Sequence, residues 1–146
     1  MLPKLEVFKF LDESDCKTIE KYMFAYPYKE GSYVFKEGTH GGYMFFIVDG
    51  TVEVIKQFDA KRATIATLGP GRSVGEMSLI DGGTRSATVK ANTDLNLIVL
   101  KREDFKKLLA EEPGVANKVL MGIAILLSNS LRETTNEFTE KMLSLC

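Results

Sequence analysis

Residues 71–89, Gly71-Arg72-Ser73-Val74-Gly75-Glu76-Met77-Ser78-Leu79-Ile80-Asp81-Gly82-Gly83-Thr84-Arg85-Ser86-Ala87-Thr88-Val89, are the densest cluster of special-purpose residues in the chain. Gly75 permits close backbone approach, and residues 76–79 can form one helical turn whose free N–H groups point at an anion. Arg85 offers a planar guanidinium for bidentate contact with phosphate oxygens, and Ser86 adds a hydroxyl and a backbone N–H. Glu76, acceptor-only when ionised, is a poor phosphate ligand but a good partner for ribose hydroxyl groups. An anion site beside a hydroxyl acceptor points to a nucleotide. The same residues also fit a plain surface ion pair between Glu76 and Arg85, worth ~0–1 kcal/mol, with glycines that only turn corners. Other phosphate loops do not match. The glycines of residues 69–75 have the wrong spacing for a dinucleotide fingerprint, and no glycine precedes Lys-Ser or Lys-Thr as in nucleoside triphosphatases.

The elements that must hold this segment follow from the rest of the chain. Its 146 residues are 45% hydrophobic and 27% charged, the balance of one globular domain with a single core. Ten of the twelve glycines fall between Gly31 and Gly83, separated by short alternating, β-branched and aromatic runs. This pattern predicts strands at 23–28, 32–36, 43–48, 51–57, 63–68, 73–74, 85–91 and 95–100, eight short strands in a jelly-roll-like β-roll. Asp49-Gly50, between two apolar runs, predicts a tight hairpin. A short helix over 12–22 is capped by Asp12 or Ser14. Residues 101–112 form another helix, with Phe105, Leu108 and Leu109 at helical spacing, and Pro113 opens a long one. On the latter, Leu120, Ala124, Leu127, Leu131, Thr134 and Phe138 share a heptad-like stripe, while Val119, Ile123 and Leu126 are offset from it. One face can cover the roll while the other meets a second copy, so a homodimer is expected over a monomer. The fold class is therefore mainly β with flanking α, one domain over 1–146: an N-terminal helical segment (1–22), a roll (23–100) and C-terminal helices (101–146).

Composition narrows the function classes. Nineteen basic against twenty acidic residues give a net charge of −1, so there is no global positive field for nucleic acid or anionic lipid. Lys101, Arg102, Lys106 and Lys107 cluster, but Glu103, Asp104, Glu111 and Glu112 interleave or flank them, as on a solvated helix face. The longest apolar run, 119–127 interrupted by Gly122, is short of the ~20 residues that span a bilayer. No secretory signal opens the chain, so the cytoplasm is expected. Cys16 and Cys146 are read as reduced thiols. His40, the only histidine, is placed in an exposed loop, and it leaves zinc sites and His-based nucleophilic catalysis nearly without ligands or a base.

With these residues in view, the whole chain resembles the cyclic nucleotide-binding domain family, which includes catabolite activator protein, protein kinase A regulatory subunits and cyclic nucleotide-gated channels. The resemblance is carried by Gly75-Glu76-Met77-Ser78-Leu79 followed by Arg85-Ser86-Ala87-Thr88-Val89, which match the family's phosphate-binding cassette, placed here at 75–89. Residues 46–52 and the turn Leu68-Gly69-Pro70-Gly71 also resemble family elements, in the same order. The resemblance implies that Glu76 binds the ribose 2′-hydroxyl and Arg85 the cyclic phosphate, with Gly75, Met77, Ser78, Ser86 and Ala87 completing the pocket. It also implies that Val54, Ile65, Leu68 and Val74 pack around ribose and base, positions that plain β-roll core would fill equally well. In catabolite activator protein a hydroxyl pair at what looks like the place of Thr134 and Thr135 touches the adenine amino group. Thr134 would act in its own subunit's site and Thr135 in its partner's; as an alternative, Thr134 sets the register of the helical seam. The single charge of a cyclic phosphodiester requires no metal ion, and none is expected.

The resemblance implies a non-catalytic receptor for cyclic AMP, with cyclic GMP second, that passes binding to its C-terminal helices and an unidentified effector protein. The alternative is a dimeric interaction module with a vestigial pocket or a different small effector. One histidine and no activated nucleophile leave hydrolysis of the cyclic phosphate without a mechanism, so no enzyme is expected. The sequence holds no DNA-binding helix-turn-helix, second nucleotide domain or leading membrane helices. The chain is read either as a freestanding module or as an excised piece of a longer protein, with Met1 and the intact helical end favouring the first.

Overall fold

The computed structural model describes residues 5–145, so the readings that fall on residues 1–4 and on Cys146 lie outside it. A 3-10 helix at Glu6–Phe8 and α1 (Glu13–Glu20) lead into β1 (Met23–Tyr28), β2 (Tyr33–Phe35), β3 (Tyr43–Asp49), β4 (Val52–Phe58), β5 (Lys61–Leu68) and β6 (Ser73–Val74). Then come α2 (Glu76–Asp81), β7 (Thr88–Ala91), β8 (Leu95–Lys101), α3 (Arg102–Glu111) and α4 (Pro113–Ser144). Asp12 caps α1 through a reciprocal box: its side chain accepts from the Asp15 N–H at 2.8 Å while Asp15 accepts from the Asp12 N–H at 3.1 Å. Pro113 opens α4, where its missing N–H is an orphan in any case.

The eight strands form two antiparallel four-stranded sheets, ordered β1-β8-β3-β6 and β2-β7-β4-β5. β3 explains the layering. Met44 and Phe46 face a core shared with the 3-10 helix, α1, α3 and α4, whereas Phe45 and Ile47 face the space between the sheets. All four are fully buried, so β3 is an unbroken apolar run rather than an alternating one, and each such side chain contributes ~1.5–3 kcal/mol.

The expected hairpin at Asp49-Gly50 does not form. β3 pairs with β6 and β8, and β4 with β5 and β7, so this turn carries the chain from one sheet to the other. Gly50 takes φ +90°, and a Cβ there would strike the Asp94 carbonyl. The doubly buried β3 belongs in the middle layer and β4, which buries only Val52 and Ile55, in the outer sheet, and one glycine corner joins them. The tight hairpin lies one element later, where Phe58 pairs with Lys61 around Asp59 at φ +54°.

α4 buries Val115, Ala116, Val119 and Ile123 against the roll and passes so close to the 3-10 helix that a Cβ on Gly122 would strike the Val7 carbonyl. Residues 129–145 are exposed throughout, including Leu131 at 68% and Phe138 at 65%. α4 contains an 18-residue window of mean hydropathy 1.4, long and apolar enough by length and composition alone to cross a bilayer, a test that the core helix of a soluble protein also passes. In its first half Val115, Ala116, Val119 and Ile123 seal the core, with Leu120, Leu126 and Leu127 packed against it.

Candidate functional site

The cassette is built around Gly75. It precedes α2 at φ +90°, and a Cβ there would lie 2.5 Å from Arg85 Nη1 and 3.0 Å from the Tyr43 carbonyl oxygen. Only glycine combines that backbone conformation with that approach. The first intrahelical bond of α2 runs from the Leu79 N–H to the Gly75 carbonyl at 3.2 Å, leaving the N–H groups of residues 76–78 outside the helical ladder.

Arg85 is a buried cation, 3% exposed. Its Nη2 donates to the Tyr43 carbonyl at 2.7 Å, and its guanidinium carbon lies 4.0 Å from the centre of the Phe35 ring and 4.6 Å from that of Tyr43. Nε and Nη1 are buried with no acceptor. Among the described residues Arg85 has no carboxylate partner, so the surface ion pair with Glu76 is not what these residues form. Burial pushes the guanidinium below its ordinary proton affinity, with Tyr43 opposing. Glu76 shows the complementary deficit: its Oε2 is buried without a donor, and burial raises the carboxyl above its usual range while its own backbone N–H and the charge of Arg72 pull it back.

Both groups line a cavity of about 340 Å³ between α2 and the outer sheet. Gly75, Glu76, Met77, Ser78, Arg85, Ser86, Ala87, Val54, Leu68 and Val74 all line it. Val54, Leu68 and Val74 also pack against the core between the sheets, so cavity wall and core are here the same surface. Ile65 does not line it. Ile65 is the unpaired residue of a β5 bulge, since Val54 pairs with Ala66 and Ile55 with Thr64, and it is 60% exposed. Ala66 and Leu68, two residues apart, share the inner face, a choice the period-2 rule makes available from sequence. Thr134 and Thr135 are exposed on α4 outside the lining residues, and the Thr134 hydroxyl donates to the Ser130 carbonyl at 3.0 Å.

Phe35, Arg72, Asp81 and Thr84 also line the cavity and were not singled out from sequence. Phe35 had a signal in its aromatic character and its place on a strand; its stacking partner Arg85 is fifty residues away. Arg85 itself precedes β7 instead of opening it, because its backbone bonds go to Gly38 and Thr39, not to a ladder. His40 is exposed, and its backbone bridges to Thr84, so its loop cradles the cassette. Among the described residues no group of three or more His, Cys, Asp or Glu side chains is arranged to hold a metal ion.

A family model described as the cyclic nucleotide-binding domain matches residues 26–112. The chain belongs to the cyclic nucleotide-binding domain family. Solved structures share the shape of this domain: one from Methylobacillus flagellatus has a TM-score of 0.84 at 34% identity, over 90% of this chain and 74% of that one. The catabolite activator protein of Thermus thermophilus gives 0.82 at 32% identity, over 91% and 61%. In sequence, the cyclic AMP receptor protein of Thermus thermophilus is 37% identical over 111 residues, 75% of this chain and 50% of that protein. A cyclic nucleotide-gated potassium channel of Mesorhizobium japonicum is 40% identical over 86 residues, 59% of this domain and 22% of the channel. The chain thus spans half or less of the length of these curated relatives.

Proposed function

We propose that the domain is a non-catalytic receptor for a cyclic nucleotide, with cyclic AMP preferred to cyclic GMP, that passes binding to its C-terminal helices. One observation carries this reading: a buried guanidinium with two unpartnered nitrogens faces a cavity that also holds a buried carboxylate oxygen without a donor. A cyclic phosphate supplies an acceptor and a single negative charge to the first, and a ribose 2′-hydroxyl supplies a donor to the second. Arg85, Ser86 and the N–H groups of Met77 and Ser78 then hold the phosphate. Val54, Ala66, Leu68 and Val74 face the ribose and base.

The preference for cyclic AMP rests on the likeness to a protein named for it. The exposed stripe through Leu131, Thr134 and Phe138 fits a second copy, which would bring Thr135 to its partner's site and Thr134 to its own. Output passes to an effector protein, in the cytoplasm and without a metal ion.

Isothermal titration calorimetry on nucleotide-freed protein tests the reading with cyclic AMP, cyclic GMP, 5′-AMP and 2′-deoxy cyclic AMP. It predicts one site per chain, cyclic AMP tightest, and a loss for the 2′-deoxy ligand that disappears in Glu76→Gln. Heat with none of the four ligands would turn the assignment towards a protein-interaction module or another small effector.

A further inference from the structure

The backbone that carries Arg85 belongs to no strand, so its polar groups must be met otherwise. On one side the loop of residues 38–41 serves: Arg85 N–H donates to the Thr39 carbonyl at 2.8 Å, Gly38 N–H to the Arg85 carbonyl at 2.8 Å, and Gly41 N–H to the Gly83 carbonyl at 3.0 Å. On the other side stands β4. Its ladder with β7 ends at the pair Ile55–Thr88. Continued in register, that ladder would set Gln57 opposite Ser86.

An ion pair stands in place of that step. Lys56 Nζ donates to the Ser86 carbonyl at 2.6 Å and meets Glu37 Oε2 at 3.1 Å, while Glu37 Oε1 accepts the Gln57 N–H at 3.1 Å. Glu37 is anchored in turn through its own N–H, which donates to Thr88 Oγ1 at 2.9 Å. The two backbone groups that a continuing ladder would join are instead bonded to the two ends of one ion pair.

We infer that Lys56 is a positioning residue for ligand recognition: with Glu37 it holds the Arg85–Ser86 backbone off β4 and against the 38–41 loop, which fixes the direction in which Arg85 meets an anion. The inference rests on the cyclic nucleotide reading for its ligand arm. Lys56 does not line the cavity, so its effect passes through the Ser86 carbonyl. Removing the ammonium frees that carbonyl and lets the segment turn, and the planar fork of Arg85 then loses its alignment.

The test uses the full chain as wild type, Lys56→Met, Lys56→Arg and Lys56→Met combined with Arg85→Lys. Cyclic AMP titration is expected to show about tenfold weaker binding for Lys56→Met, near wild-type binding for Lys56→Arg, and a smaller Lys56 effect in the Arg85→Lys background, the coupling expected of linked residues. Without any nucleotide, hydrogen exchange across residues 84–87 is expected to rise in Lys56→Met while exchange in β3 and β8 stays unchanged. Wild-type binding with no change in Lys56→Met overturns the inference, and so does a loss of the same size in the Arg85→Lys background, which would assign Lys56 a direct charge effect on the ligand. If wild type binds no cyclic nucleotide, the ligand reading fails on its own. The exchange arm still decides the positioning role, and unaltered exchange at 84–87 refutes it.

Discussion

Replacing Arg85 with methionine separates a cation kept for a ligand from one kept for the fold. In the free domain the guanidinium gains one charged hydrogen bond at 2.7 Å, worth ~1.5–3 kcal/mol, and its stacking on Phe35 and Tyr43, worth ~2 kcal/mol when desolvated. Against these stands the loss of hydration of a buried charge with two unpartnered nitrogens, which is several kcal/mol. The terms nearly cancel, so Arg85→Met should change the stability of the free domain by no more than ~1 kcal/mol. Bound ligand breaks the symmetry. Removing one member of a buried charge pair costs at least ~2 kcal/mol, a drop of roughly thirtyfold or more in affinity. At a cyclic AMP concentration one hundred times the wild-type dissociation constant, wild type gains ~2.7 kcal/mol, and a variant binding thirtyfold more weakly gains only ~0.9 kcal/mol. Urea unfolding of both proteins with and without cyclic AMP measures all four numbers. A variant that loses ~3 kcal/mol without ligand yet keeps the full ligand increment would refute the reasoning and make Arg85 a structural residue.

Five further substitutions probe the site and the exposed stripe of α4. Burial raises the Glu76 carboxyl above its ordinary value of 4.5, so the folded state holds this proton more tightly than the unfolded chain, and folding is penalised increasingly as pH rises from the unfolded value through the folded one. Glu76→Gln should therefore stabilise the ligand-free domain at pH 7 and lose that advantage below about pH 4.5, read by urea unfolding across pH; equal effects at both ends would exclude a buried carboxylate. Ile65→Ser on the exposed bulge should change stability by no more than ~0.5 kcal/mol and leave nucleotide affinity alone, whereas Ala66→Leu, pointing into the cavity wall, should weaken binding in a calorimetric titration. Leu131→Glu and Phe138→Glu, both on the exposed stripe of α4, should yield monomers in sedimentation velocity, and an undisturbed dimer would move the interface elsewhere.

Local chemistry was legible in the sequence wherever a few neighbouring residues decide the outcome. Asp12 announces a helix start, Pro113 a second, and the Gly75-Glu76 and Arg85-Ser86-Ala87 groups a cassette that one cavity brings together. Pairing between distant segments was not legible. The Asp49-Gly50 pair looks the same whether it closes a hairpin or turns a corner between sheets, and the difference lies in β6, β7 and β8, far along the chain. Ile65 was placed at the pocket by the resemblance to the family, and a bulge set by pairing with β4 exposes it instead. Leu5, Val7 and Phe8 enter the core through a 3-10 turn too short to show periodicity, and only Gly122 on α4 makes room for it. The Glu37–Lys56 pair inside the ladder depends on register and side-chain reach together, neither of which a linear pattern records.

The claim at the centre of this account is that the cavity facing Arg85 is completed by a cyclic nucleotide. Thermal unfolding of protein refolded free of carried-over nucleotide, in buffer and in millimolar cyclic AMP, cyclic GMP or 5′-AMP, tests it most directly. The account predicts a rise in Tm of several degrees with cyclic AMP, corresponding to ~2.7 kcal/mol at one hundred times the dissociation constant, a smaller rise with cyclic GMP and little with 5′-AMP. Unchanged melting in all four conditions would contradict it.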